Sequence, residues 1–333
     1  MEFWFDHIGQ IWWASLSRET TRYALFAVAT WALLSIVLKA PLRARKIREH
    51  SPAGGQLLVE FMVSIRSIAI FATVALAQSF MSRAGAYPLT HVALQWGSVW
   101  FWASFLLMIL GHDAYFYWTH RAMHDPRLFK AFHGRHHRSD NPSPFTAYSF
   151  DLSEAAVMAS FVILWPFVVP TPWEVIPLFI LHQIVRNTLA HCGYELMPAT
   201  AAGRPLIDWL TTTTHHDLHH AQPDSNFGLY FTWWDRWMKT ENPQFRAAFT
   251  RAAYRRAAAT GSLAAASERG VTRTRSAQRG SSPAALWRGV MASAVRTARS
   301  GAISAIGPLC LQWFAGGFLF MVGGALALTL VLS

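Results

Sequence analysis

Five apolar runs decide what this chain can fold into. They are residues 22–38 (RYALFAVATWALLSIVL), 57–81, 92–111 (VALQWGSVWFWASFLLMILG), 155–190 and 302–332. In hydrocarbon no water is at hand for the backbone N–H and C=O groups, so a spanning segment must satisfy them internally, as helices do. A span takes about 20 apolar residues. The runs therefore predict an all-α protein, a polytopic integral membrane bundle. Hydrophobic residues make up 53% of the chain and charged ones only 14%, which fits a lipid solvent. The second run is weaker and carries Glu60 and Arg66. The fourth is cut by Pro166, Pro170, Pro172 and Pro177. Its halves, 155–169 and 173–190, are each short of a crossing, so they are expected to form a helical hairpin that dips in and returns on the same side.

Charge sets the expected orientation. The net charge is +11, and the basic residues sit beside spans. Lys39, Arg43, Arg45, Lys46 and Arg48 follow the first run, and eleven arginines lie between Arg246 and Arg299. Basic loops mark the cytoplasmic side. Everything from His120 to about Gly301 is then expected in the cytoplasm, apart from the hairpin. The same loops suit anionic lipid head groups, and no nucleic-acid partner is expected. The N-terminus shows no pattern of a cleaved signal peptide. Cys192 and Cys310 lie in different segments and offer neither a disulfide framework nor a Cys-based zinc site. The Ala/Arg/Ser-rich stretch 246–301 reads as a mobile or loosely helical linker.

Twelve of the 15 histidines fall between His112 and His220. They group as HRAMH (His120, His124), HGRHH (His133, His136, His137) and HDLHH (His216, His219, His220), with His191 standing singly. Spacings of three and four put side chains on one face of a helix, so each group presents its imidazoles to one side. A catalytic zinc takes about three protein ligands and a structural one four. Nine imidazoles suit two ions. Without thiolates, imidazole suits iron, zinc, copper or nickel alike. His112 lies on another face of its helix. His215 points about 100° away from His216. His182, in the apolar hairpin, reads as a packed core residue. Thr211 to Thr214 are expected to position the start of the HDLHH helix, where hydroxyls can take free N–H groups.

These residues resemble a known family. HRAMH, HGRHH and HDLHH, in that order, are similar to the histidine boxes of the fatty acid hydroxylase/sterol desaturase superfamily of membrane non-haem iron enzymes. DAYFYWTHRAMH looks like its first box with the leading Asp. FHGRHHRSDNPSPFTAYSFDLSE resembles the second, and HHDLHH…NFGLYFTWWDRWMKT the third. The likeness covers about residues 95–242. Asn187 stands where some members have a further histidine, Asp151 where many have a His, and Lys239 where many have a Gly. The resemblance implies a cytoplasmic site of two irons, or zinc in their place, held by His120, His124, His133, His136, His137, His191, His216, His219 and His220. Asp113, Asn187, His215, Asp217 and Asp235 are candidates to orient those ligands. It further implies O2 as co-substrate and a membrane lipid that is hydroxylated or desaturated.

No haem motif or Gly-rich flavin or nicotinamide fingerprint is present, so electrons are expected from a separate ferredoxin, cytochrome or reductase. The Ala/Arg-rich composition looks bacterial, which points to an inner membrane; for a bacterial member the resemblance then implies an acyl or ornithine lipid, with sterol or carotenoid oxidation as the alternative. A metal-binding transporter or sensor is the alternative of another class. The expected organisation is membrane segments over 1–91, a catalytic domain over 92–242, a linker over 243–301 and a C-terminal helix over 302–333. Glycines spaced along that last helix, including Gly316 and Gly323, suit close packing or homo-oligomer contact.

Overall fold

The computed structural model describes residues 2–258. The expected C-terminal helix, its oligomer contact and most of the basic linker lie outside the described residues. Helix α1 runs Glu2–Ala32 and continues as a π-helical turn, Leu33–Val37; α2 is Gly54–Arg83, α3 is Pro88–Ala93 and α4 is Gly97–Met123. A short α5, Phe129–Phe132, follows, then α6, Leu152–Val168, and α7, Val175–Ala190. The remaining helices are α8, Thr213–Ala221, α9, Trp233–Trp237, and α10, Phe245–Ala258. Among the described residues there is no strand, only isolated bridges such as Lys46 with Tyr194. Among the described residues three helices are long and apolar enough to cross a membrane: Asp6–Val37, Gly54–Arg83 and Gly97–Met123.

Two boundaries differ from the sequence reading. The first helix begins well before residue 22, because an amphipathic stretch without Pro simply extends the apolar run. The third starts at Gly97 rather than 92. Gly97 has φ 74°, a left-handed conformation open to glycine at little cost, and it separates α3 from α4. The hairpin forms as α6 and α7, of 17 and 16 residues. Pro166 sits inside α6 and has no N–H to give the carbonyl of Val162. Gln78 of α2 donates to that carbonyl instead, at 3.1 Å. Gly111 admits the close approach of α4 and α6, since a Cβ there would lie 2.1 Å from the Trp165 ring.

The polar residues of α2 also have structural work. Residues 143–150, after the second histidine group, form a buried loop whose only regular part is the 3-10 turn Pro144–Tyr148. Its carbonyls need donors, because a buried unpaired C=O costs about 1–3 kcal/mol. Tyr23 and Ser64 donate to Phe145 O at 2.9 and 3.0 Å, Arg66 to Phe150 O at 2.6 Å and Asn187 to Ala147 O at 2.6 Å. Ser143 donates to Glu60 at 2.6 Å. The ionisable pair that weakens the second apolar run thus ties α2 to this loop.

The basic loop after α1 reaches the same end of the bundle as the histidines. Arg45 donates to the Glu195 and Met197 carbonyls, and Arg48 pairs with Asp217 at 2.8 Å. At the other edge, Phe245 and Phe249 of α10 are buried, so helical packing continues past residue 242. Lys239 adopts φ 57°. An L-residue there costs about 1–2 kcal/mol. Lys239→Gly is therefore expected to raise stability by about 1 kcal/mol, read as a higher Tm in detergent. A lowered Tm would contradict this.

Candidate metal centre

The nine imidazoles converge as two adjoining groups. His120, His124, His133, His137 and His219 form one; His136, His191, His216 and His220 form the other. Within each group, one ring nitrogen per residue lies within 4.8 Å of all the rest. The second and third sequence clusters are split between the groups. His133 and His137 serve the first and His136 the second, while His219 serves the first and His216 and His220 the second. Rings touch across the divide, with His137 and His220 centroids 5.0 Å apart.

Local structure explains the convergence. His120 lies in the last turn of α4 and His124 caps it, four residues apart. HDLHH is helical within α8, whose N-cap Thr212 accepts from His215 N at 3.3 Å. Thr213 donates to Leu189 O, and Glu195 accepts from Thr214 N at 3.0 Å, so α7, the 191–197 loop and α8 are tied together. HGRHH is not a regular helix, contrary to the reading from spacing. α5 ends at Phe132, His133 has φ −141°, and a 3-10 turn covers His136–Arg138. Gly134 is closely packed against the α5 backbone at this break. Asp151 accepts from Arg135 N at 2.8 Å and pins the turn. Breaking the helix lets His136 face the second group while His133 and His137 face the first.

The separations suit ions. On metal–nitrogen bonds of about 2.0–2.1 Å, neighbouring ligand nitrogens sit about 3.3 Å apart in a tetrahedron and about 2.9 Å apart in an octahedron. In the first group the Nε2 pairs His120–His133, His120–His124 and His137–His219 are 2.9, 3.3 and 3.0 Å apart. In the second, His191–His216 and His136–His191 are 2.9 and 3.3 Å apart. His220 has neither nitrogen hydrogen-bonded, and His136, His137 and His216 have a bare Nδ1. So many buried nitrogens facing one another fit a cation better than a packed apolar core. The residues present therefore fit two imidazole-bound ions.

Several of these imidazoles are aimed from behind. His120 Nδ1 donates to Phe227 O at 2.9 Å, His219 Nδ1 to Ser225 O at 2.7 Å and His191 Nδ1 to Asn187 O at 2.8 Å. His133 Nδ1 lies 2.8 Å from a buried Glu154 carboxyl oxygen, a close contact without hydrogen-bond alignment. A protonated Nδ1 leaves the Nε2 lone pair pointing into the group, which fixes tautomer and ring orientation.

The orienting candidates from sequence divide accordingly. Asn187 acts through its backbone carbonyl. Asp235 accepts from Phe227 N and Gly228 N, both at 2.9 Å, and so sets the carbonyl that holds His120. Asp113 touches no ligand; it binds Tyr230 N, Phe231 N and Trp233 Nε1. Asp217 serves Arg48. His215 lies outside both groups, 3.7 Å from Asp235. Glu154 and the carbonyls of Phe227 and Ser225 escaped the sequence reading. A carbonyl has no side-chain signal, and Glu154 is 21 positions from the histidine it meets.

Burial keeps these imidazoles neutral. It lowers His137 to about 3 and His191 to about 4, and puts His216, His219 and His220 well below the ordinary value, with neighbouring imidazoles adding to the effect. Unfolded histidine takes its proton near pH 6.5. Between pH 6.5 and about 4 the unfolded chain thus binds more protons, and stability falls as pH falls. Metal-free protein is expected to melt at a clearly lower temperature at pH 5 than at pH 7.5. Equal Tm values would contradict this.

A cavity abuts both groups. Phe116 and Phe150 line it, and their rings lie 4.9 Å from His120 and 5.3 Å from His136. The remaining wall is mostly apolar, from α2, α4, α6 and α7, with Glu19 of α1 and Tyr148 of the 143–150 loop. The Phe116 and Phe150 rings stand between it and the histidines.

Residues 105–240 match the sequence model of the fatty acid hydroxylase family. A human lathosterol oxidase is 31% identical over 125 residues, 37% of this chain and 40% of the relative. A Delta(7)-sterol 5(6)-desaturase of Gibberella zeae is 27% identical over 43% of each chain. A methylsterol monooxygenase 1 of Danio rerio is 25% identical over 47% of this chain and 56% of its own. The chain thus spans roughly half the length of these relatives or less. No solved structure matches.

Proposed function

From the premise that residues 105–240 belong to the fatty acid hydroxylase/sterol desaturase superfamily, we propose that this chain oxidises a membrane lipid at a pair of irons held by the nine histidines. The observation that carries the proposal is the cavity whose aromatic floor touches one ligand of each group. Bound iron would supply, with O2 and electrons from a separate carrier, the power to break an unactivated C–H bond. The protein's own part is placement. The carbonyls of Asn187, Phe227 and Ser225 hold imidazoles in one tautomer, and a Glu154 oxygen lies 2.8 Å from His133 Nδ1. Burial of His120, His133, His191 and His219 keeps water from the centre. Phe116 and Phe150 leave an apolar approach for the substrate.

The substrate enters from the bilayer, because the cavity is walled by membrane helices. The relatives' names include sterols, which favours a sterol-type substrate over the acyl or ornithine lipid expected of a bacterial member of the family. The catalytic end faces the cytoplasm in this reading. The basic Lys39–Arg48 loop lies at that end and supports it, although Arg45 and Arg48 are also engaged in the fold. Comparative lipid mass spectrometry tests the activity. Cells with the protein should hold a lipid that has gained one oxygen or lost two hydrogens, and cells with His216→Ala protein at matched levels should not. Identical lipids in the two strains would overturn the activity.

A further inference from the structure

The cavity holds a polar patch that the metal centre does not use. His112 lines it and is only 4% exposed, yet its Nδ1 has no hydrogen-bond partner among the described residues. Its neighbours are rings, with Phe161 and Phe179 centroids 4.9 and 5.0 Å away. Phenylalanine would satisfy that setting without the cost of burying an unpaired nitrogen, about 1–3 kcal/mol. Gln183 lines the same cavity. Its side-chain oxygen accepts from Tyr148 at 2.8 Å, and no described group accepts from its amide nitrogen. The other polar lining groups are engaged. Gln78 donates to the carbonyl freed by Pro166, and Glu19 is paired with Arg22 at 2.8 Å. The patch thus offers a neutral imidazole and an amide N–H, with no unpaired cation for a carboxylate or phosphate.

Its depth is set by the helices. His112 precedes the ligand His120 by eight residues on α4, and Gln183 precedes His191 by eight on α7. At 1.5 Å per residue both lie about 12 Å along the helix from the metal groups.

We propose that His112 and Gln183 form a binding site for a hydroxyl group of the substrate, so that the enzyme selects a lipid carrying a neutral alcohol remote from the carbon held at the metals. A hydroxyl fits both groups, because it accepts from the Gln183 amide and donates to a His112 nitrogen, whereas a carbonyl could only accept. The proposal rests on the reading that this cavity holds the substrate. It separates two skeletons of the same chemistry: a polycyclic alcohol, and a long chain hydroxylated away from its head group.

The test is equilibrium binding of radiolabelled probes to the full-length protein in nanodiscs, with no turnover. Cholestanol is compared with cholestane, and methyl hydroxystearate with methyl stearate. Wild type is expected to bind one hydroxylated probe more tightly than its deoxy parent, by up to about tenfold, the scale of one or two net hydrogen bonds. The pair that shows the preference identifies the skeleton. His112→Phe should bring the preference within about twofold while keeping the affinity for the deoxy parent. No preference in wild type for either pair, or a preference that survives His112→Phe, overturns the proposal. If His112→Phe does not fold, Gln183→Leu decides by the same criterion. Metal content of the same samples separates the two readings. Samples that keep the preference but bind no metal would remove the metal centre and leave the hydroxyl site standing.

Discussion

His216→Ala is expected to lower the metal content by about one ion per chain and to abolish lipid oxidation, whereas His215→Ala should keep the full metal content. His216 belongs to the group of four, which would be left with three imidazoles, fewer than a closed site needs. His215 is its sequence neighbour and equally buried, but it points at Asp235. The activity loss at His216 should exceed the 10–100-fold typical of removing a group that only orients a ligand. His219→Ala should retain more metal than His216→Ala, since its group keeps four imidazoles, while still losing activity. Elemental analysis and lipid oxidation at matched protein levels check this. Equal metal loss for His215→Ala and His216→Ala would mean that the two groups are misassigned.

The second large effect lies at Glu154. Its carboxylate meets His133 Nδ1 at 2.8 Å, with both side chains 2% exposed. Glu154→Leu removes the polar oxygen beside His133 Nδ1 and should weaken metal retention about 10–100-fold. Glu154→Gln keeps a carbonyl oxygen at the same place, and should fall between Leu and wild type. A chelator titration followed by residual metal gives the order. Leu behaving as wild type would show that the carboxylate does not support the ligand.

The two kinds of legibility in this chain have different physical origins. The spans were readable because hydrocarbon admits little but helices, and apolar runs of spanning length are rare for other reasons. Which nine histidines gather was readable from spacing and resemblance, since side chains at i, i+3 and i+4 share a helical face. How they divide was not. The division of HGRHH depends on a broken helix at His133 and a 3-10 turn, pinned by Asp151, and no local pattern announces either. Asp113 looked like an orienting group because it precedes the first box. In three dimensions its oxygens are taken by the N–H groups of residues 230, 231 and 233. The supports of His120, His191 and His219 are carbonyls, which every residue has and no sequence marks. Glu60 and Arg66 show the converse. They weaken a hydropathy reading of α2, yet they are what ties the buried 143–150 loop to it.

The central claim is that the two histidine groups hold a pair of irons. It is tested most directly by counting the metal in wild-type, full-length protein expressed in iron-replete cells and purified without chelators. The account expects about two irons per chain, since each group supplies at least the three or four protein ligands an ion takes. Folded, monodisperse protein that carries no metal, or no more metal than His216→Ala protein prepared in parallel, would contradict it.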